Sequence, residues 1–339
     1  MRVTDSHFHW FPRSFFDELS AKKTFPRTEP DGKGGYKYLL HPASTGSFMD
    51  VWAEWFDLER QLEHMDTLRH DVRVVGSCGP FAVHFSDLPV DEGRDAATQW
   101  NEEMAGAQRS HPGRFTAMAA VPLVDTATAI DVVTYAVRTL DLRGVSLPSS
   151  VGSNPNIDAP ALEPFYACVE ELGVPLFLHP TDRVFADILA EGYGGALYSG
   201  LGRVTEVSVA AMRLILSGIM ERHPKLKVII SHSGGALPYQ AGRMDKNSSG
   251  VKLQEKPSVY LKRMYTETVS PHMEGIRFAV EFFGSSRVLY GSDYPCWNPT
   301  DALRLFNEIG LSSADSQRIL NDNAEQMFDL NSSALLVSK

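Results

Sequence analysis

The sequence predicts a closed (β/α)8 barrel formed as one domain over residues 1–339. Three observations predict it. Eight short β-branched runs recur along the chain, segments with helical periodicity separate them, and polar groups directly follow several of the runs. A barrel of this kind takes about 250 residues or more, so 339 residues leave room for insertions.

The predicted strands span 2–7, 72–78, 115–121, 144–147, 175–179, 227–232, 263–268 and 287–291. Several are nearly continuous apolar runs, the pattern of parallel strands covered on both faces. Helical patterns cover 52–69, 96–110, 126–139, 161–172, 204–222 and 273–283. In the first of these, Trp55, Leu58, Leu62 and Met65 fall close to a 3.6-residue period. Helix stops appear as HPGRF at 111–115, LGVP at 172–175 and HPKLK at 223–227. Residues 300–330 predict two or three terminal helices. A doubly wound open sheet is the structural alternative, but the Gly-rich dinucleotide fingerprint and the P-loop are both missing.

One segment breaks the pattern. From about residue 10 to residue 50 the chain is rich in Gly and Pro and weakly periodic. It follows the first strand, where barrel loops build the active-site face, so it is expected to cover the pocket.

Composition narrows the function. The formal net charge of -10 argues against nucleic-acid binding, which needs clustered Lys and Arg, but leaves room for an anionic small molecule in a locally basic cleft. Cys78, Cys168 and Cys296 are far apart and odd in number, which argues against a disulfide framework or a thiolate zinc site. Residues 1–9 do not read as a secretory signal, and no uninterrupted apolar stretch reaches the length of about 18 residues that a membrane span needs. A cytoplasmic enzyme is the expectation.

The histidines carry the chemistry. In Asp5-Ser6-His7-Phe8-His9, the two imidazoles lie two apart on a strand and therefore face the same side. An HxH pair alone also decorates surfaces. Here, however, His179 follows the run LFL, His232 follows VIIS, and Asp293 follows VLYGS. Five polar groups at the carboxyl ends of barrel strands point into one mouth. Imidazoles with a carboxylate suit one divalent ion, Zn2+ first, with Mn2+, Fe2+ or Co2+ as alternatives.

The ordered motifs DSHFHWFP, LFLHP, IISHSGG and VLYGSDYP resemble the amidohydrolase superfamily over nearly the whole chain. More closely they resemble the branch of 2-amino-3-carboxymuconate-6-semialdehyde decarboxylase and the aromatic-acid decarboxylases. The resemblance implies that His7, His9, His179 and Asp293 bind one metal and that His232 moves protons beside it, a task in which Asp293 is expected to share. Binuclear members carry a fourth-strand lysine that bridges two ions. The corresponding stretch here, Arg143-Gly144-Val145-Ser146-Leu147-Pro148, has none, which implies a mononuclear site.

Further candidates follow, the arginines from the same resemblance and the others from their positions along the chain. Arg243 matches an arginine that crosses a homodimer interface to grip a substrate carboxylate, a task suited to a planar fork. The family's other substrate-binding arginine has no match around 47–52. Trp297 is a candidate for lining the pocket, and Glu267 for orienting a histidine. His41, His84 and His272 lie in segments that reach the same mouth, whereas His64, His70, His111 and His223 fall on or beside helices, where capping and solvated roles dominate.

The leading expectation is non-oxidative decarboxylation of a small unsaturated or aromatic carboxylic acid. Hydrolysis of an amide, lactone or carbon–carbon bond uses the same donors and is the alternative. Hydration, metal-based oxidation and a non-catalytic partner subunit are lesser readings.

Overall fold

A computed structural model of the chain describes residues 1–25, 27–39, 49–152, 154, 156–189 and 193–331. Eight parallel strands surround a central axis: β1 (Arg2–His9), β2 (Asp71–Ser77), β3 (Phe115–Ala117), β4 (Val145–Pro148), β5 (Leu176–His179), β6 (Val228–Ile230), β7 (Tyr265–Glu267) and β8 (Val288–Leu289). Ladders join β1 to β2 to β3, and β4 through to β8, each in parallel register. Backbone hydrogen bonds close both seams. Ala119 N–H donates to Gly144 O and Ser146 N–H to Ala119 O, both at 2.8 Å, while Ser6 N–H reaches Tyr290 O and His9 N–H reaches Tyr294 O, also at 2.8 Å. The sheet is thus a closed barrel, not the doubly wound alternative.

All eight expected strands occur, with shifted ends. The first runs two residues further, to His9, and its register with β2 shifts between Asp5 and Phe8. The sixth ends at Ile230 because His232 and Ser233 take φ of 56° and 55°, values a strand cannot contain. The expected helices form too. Residues 204–222 divide at Gly218 (φ 82°) into Arg203–Leu216 and Ile219–Arg222. Three terminal helices occupy Pro299–Glu308, Ser313–Gln317 and Asn323–Met327. Among the described residues, no helix is long and apolar enough to cross a membrane.

The insertion after β1 is more ordered than its composition suggests. It holds a helix, Arg13–Ala21, and an antiparallel sheet of Arg27–Pro30, Tyr36–Leu39 and Met49–Val51. Helix residues Phe15, Phe16 and Leu19 are buried, as are Tyr36 and Tyr38 on alternate positions of one strand. The Asp31 carboxylate accepts from the N–H groups of Lys33 and Gly35, at 2.6 and 2.9 Å, and so shapes the turn between the first two strands. Strands of three or four residues are too short to show a period, so Gly and Pro in their turns dominate the sequence pattern. His41 lies outside the described residues.

Val75, Met118, Phe177, Ile229 and Leu289 form the barrel's inner layer, continuous with Ala324, Met327 and Phe328 of the terminal helical region. Phe177 stands edge-on to His7, with ring centroids 5.0 Å apart, so this layer is the floor of the histidine cluster. Removing a buried phenyl ring costs roughly 3–5 kcal/mol. Phe177→Ala is therefore predicted to lose about that much stability in urea unfolding; a loss below about 1 kcal/mol would show that the floor is not rigid packing.

Candidate metal centre

Backbone constraints bring β1 and the chain beyond β8 together. His7 is fully buried, and Gly291 faces it so closely that a Cβ there would lie 2.7 Å from His7 Cβ. Gly79, at φ 49°, makes the same room for His9, where an added Cβ would fall 2.6 Å from Cε1. Asp293 sits at φ 61° and donates its N–H to His7 O at 2.8 Å, which turns its carboxylate toward the two imidazoles.

Behind this turn lies Asp5, a residue that sequence reasoning passed over. Its Oδ1 accepts from Ser292 N at 3.0 Å and from His7 N at 3.2 Å, and its Oδ2 accepts from Ser292 Oγ. Burial pushes its carboxyl up to about 7, against the pull of these hydrogen bonds. The available signal was a carboxylate two residues before the first histidine, inside a strand whose other polar residues are uncharged or imidazole beyond Arg2.

His7, His9, His179 and Asp293 each offer one donor atom, and the four atoms lie within 4.8 Å of one another. His7 Nε2 is 3.2 Å from His9 Nε2. Asp293 Oδ1 is 3.3 Å from the first and 3.1 Å from the second. The opposite ring nitrogens have acceptors: Glu267 Oε1 at 3.0 Å for His7, Ser77 O at 3.4 Å for His9, and Pro180 O at 2.8 Å for His179. These partners place the proton on Nδ1 in each ring, leaving three Nε2 lone pairs and a carboxylate oxygen facing one another. Such an arrangement is repulsive without a positive charge at its centre, and it suits a divalent cation. That is the test of fit, and these residues meet it.

The electrostatics agree. Burial holds His9 below the usual imidazole range and His179 well below it, which favours the neutral ligand form. Burial acts on His7 the same way, but the charges of Asp293 and Glu267 outweigh it and raise His7 to about 10. Proton and cation therefore compete for the same Nε2. The Asp293 carboxyl is buried yet held well below its ordinary value by His7 and His9.

His232 stands beside these four. Its Nε2 lies 3.9 Å from Asp293 Oδ2, its ring centroid is 5.2 Å from that of His7, and burial lowers it to about 3. Glu267 couples the two histidines: the oxygen that faces His7 Nδ1 also accepts from the His232 backbone N–H, and its other oxygen accepts from Val269 N–H. Glu267, the candidate for orienting a histidine, thus contacts the ring of one histidine and the backbone of another. On β4, the inward-facing Ser146 accepts from Cys78 N–H at 3.1 Å, in a strand that has no lysine.

His232 and Asp293 open into a cavity of about 750 Å³ that is also lined by Arg203, Val269, Phe278 and Trp297. Met49 and Trp55, from the end of the insertion and just beyond it, line the inner space around His9, His179 and Asp293. The structure therefore places Trp297 at the pocket. Arg243, by contrast, is exposed on the helix Leu237–Asn247 and does not line the cavity of its own chain. Arg203 was missed because it reads as an ordinary helix start. His84 is buried against Glu18, and His272 caps the helix Met273–Phe283, so neither joins the centre.

A closed parallel barrel with three imidazoles and a carboxylate converging at its carboxyl-terminal mouth defines a metal-dependent barrel enzyme. The chain belongs to the amidohydrolase family, whose model matches residues 4–330. It is 30% identical over 250 residues to gamma-resorcylate decarboxylase of Rhizobium sp. (strain MTP-10005), covering 70% of this chain and 76% of the relative. Its fold is shared with the apo form of Metarhizium anisopliae IDCase, at a TM-score of 0.85 and 22% identity over 98% of both chains. It is also shared with a dihydroxybenzoic acid decarboxylase from Polaromonas sp. JS666 bearing manganese and 2-nitroresorcinol, at a TM-score of 0.77 and 24% identity over 97% of both.

Partners that orient metal-bound histidines are commonly worth about 10–100-fold in affinity. Glu267→Gln, which replaces one acceptor oxygen by a donor facing backbone N–H groups, is predicted to weaken metal binding by about that factor in chelator competition. Unchanged affinity would remove Glu267 from the support of the centre.

Proposed function

We propose that this protein is a mononuclear, metal-dependent carboxy-lyase that removes CO2 from a small aromatic acid without redox chemistry. The observation that carries the reading is the convergence of three Nε2 lone pairs and the Asp293 carboxylate beside His232, at the floor of a cavity with apolar walls. The gamma-resorcylate relative supports the reaction and the class of substrate.

In this reading His7, His9, His179 and Asp293 hold the ion. When bound, the ion supplies positive charge that orients the substrate's oxygens and stabilises the negative charge developing on them. The donor set suits zinc, and manganese in the Polaromonas neighbour supports that ion equally. The carbon–carbon bond to the carboxylate breaks, its electron pair stays on the ring carbon, and a proton takes the place of CO2. His232, with Asp293, manages that proton; its neutral imidazole and its position beside the carboxylate suit the task. Val269, Phe278 and Trp297 offer an apolar wall to the ring. Arg243, exposed on its own subunit, would serve the cavity of a second copy in a homodimer. The cysteines are free, consistent with a reducing cytoplasm.

Elemental analysis is expected to find about one divalent ion per active chain; two ions would end the mononuclear reading. A panel of hydroxybenzoates monitored for CO2 should identify the substrate, whereas hydrolysed products without CO2 would favour the hydrolase alternative. His232→Ala should keep its metal and lose about 10²–10⁴-fold in turnover, while His179→Ala should lose the metal itself. Parallel metal loss in both variants would make His232 a ligand.

A further inference from the structure

We infer that Trp55 and Arg203 form a second binding point, apart from the metal, for an anionic oxygen carried on the substrate's aromatic ring. The inference rests on the decarboxylase reading and adds to it the residues that recognise the acid.

Both side chains line the inner space shared with His9, His179, His232 and Asp293. Trp55 is fully buried, and its ring stacks on His9 with centroids 5.9 Å apart and planes 9° from parallel. Its indole N–H is buried and meets no hydrogen-bond acceptor among the described residues. Buried donors are nearly always satisfied, and indole has no second role as an acceptor. An acceptor brought in by a ligand completes it.

Arg203 supplies positive charge in the same place. Its Nε and Nη2 donate to Asp182 Oδ1 and Oδ2 at 2.7 and 2.8 Å, a bidentate pairing that fixes the plane of the guanidinium. Asp182 is fully buried and lies three residues after His179, on the same loop. One short segment therefore sets both a metal-facing imidazole and the fork of Arg203, so the spacing between them is built into the backbone. Arg203 also lines the larger cavity, where it is the arginine among the described lining residues. It lines the cavity of the chain that carries the centre, whereas Arg243 is exposed outside that cavity and the loop after β1 shows no arginine around 49–52. A planar anion resting against Val269, Phe278 and Trp297 meets Arg203 in the larger cavity, and an oxygen that reaches past Asp293 into the inner space would come to Trp55 as well. Carboxylate and phenolate oxygens share that chemistry.

Trp55→Phe keeps the aromatic ring beside His9 and deletes only the N–H. Arg203→Lys keeps a charge against Asp182 and deletes the fork, which guards against unfolding from a buried unpaired carboxylate. The test is calorimetric binding of benzoate, 2-hydroxybenzoate, phenol and benzamide to manganese-loaded protein, with metal content measured in each variant. Hydrogen bonds to charged groups imply a loss on the order of 10- to 100-fold for anionic ligands in each variant, with benzamide nearly unaffected and metal content unchanged. A loss confined to the two acids assigns the carboxylate as the partner, and a loss confined to the hydroxylated ligands assigns the phenolate. Wild-type affinities in both variants, with metal retained, overturn the inference and leave the decarboxylase reading standing. Failure of the wild-type protein to bind any of the four counts against that reading itself, and the inference falls with it.

Discussion

Aiming several lone pairs at one buried point is unfavourable unless something positive sits there, and this barrel is organised around that constraint. His7, His9 and His179 are 3% exposed or less, and their Nδ1 atoms are all engaged by acceptors. The imidazoles therefore cannot turn away to relieve the repulsion. A divalent ion held by these atoms would resolve the conflict, and the residues around them keep the donors in place.

That shell is shared between strands rather than held by any one of them. Asp5 ties β1 to the turn that carries Asp293, and Glu267 reaches from β7 to His7 and to the backbone of His232. Glu206 does comparable work on the other side. It is buried, and it accepts from Ser149 after β4, from Thr181 after β5 and from Tyr198. This fixes the loop that holds both His179 and Asp182. Three buried carboxylates thus span the mouth, each satisfied by several donors, as low-dielectric surroundings require.

Much of this was legible in the sequence, for a physical reason. A polar residue directly after an apolar β run has nowhere to go but the end of the strand, so His179, His232 and Asp293 announced themselves, and the spacing of His7 and His9 placed them on one side. Several of the strands were legible because parallel strands covered on both faces read as nearly continuous apolar runs, as at 176–178, 228–230 and 288–290. Contacts across long stretches of sequence left no such mark. Asp5 looks like part of a motif until Ser292 is seen against it, and Arg203 has meaning only through Asp182, 21 residues away. Trp55 fits a helical period well enough to pass as core. The insertion after β1 was read as irregular because its strands are shorter than any period that could reveal them.

The account stands on the coordination of one ion by this particular set of atoms. X-ray absorption spectroscopy of the zinc-loaded protein measures it directly. The expected spectrum shows one ion with imidazole nitrogens and carboxylate oxygen at about 2.0–2.2 Å and no heavier neighbour. A sulfur neighbour at about 2.3 Å, which Cys296 on the inner wall would supply, or a second metal at about 3.5–4 Å, would contradict it.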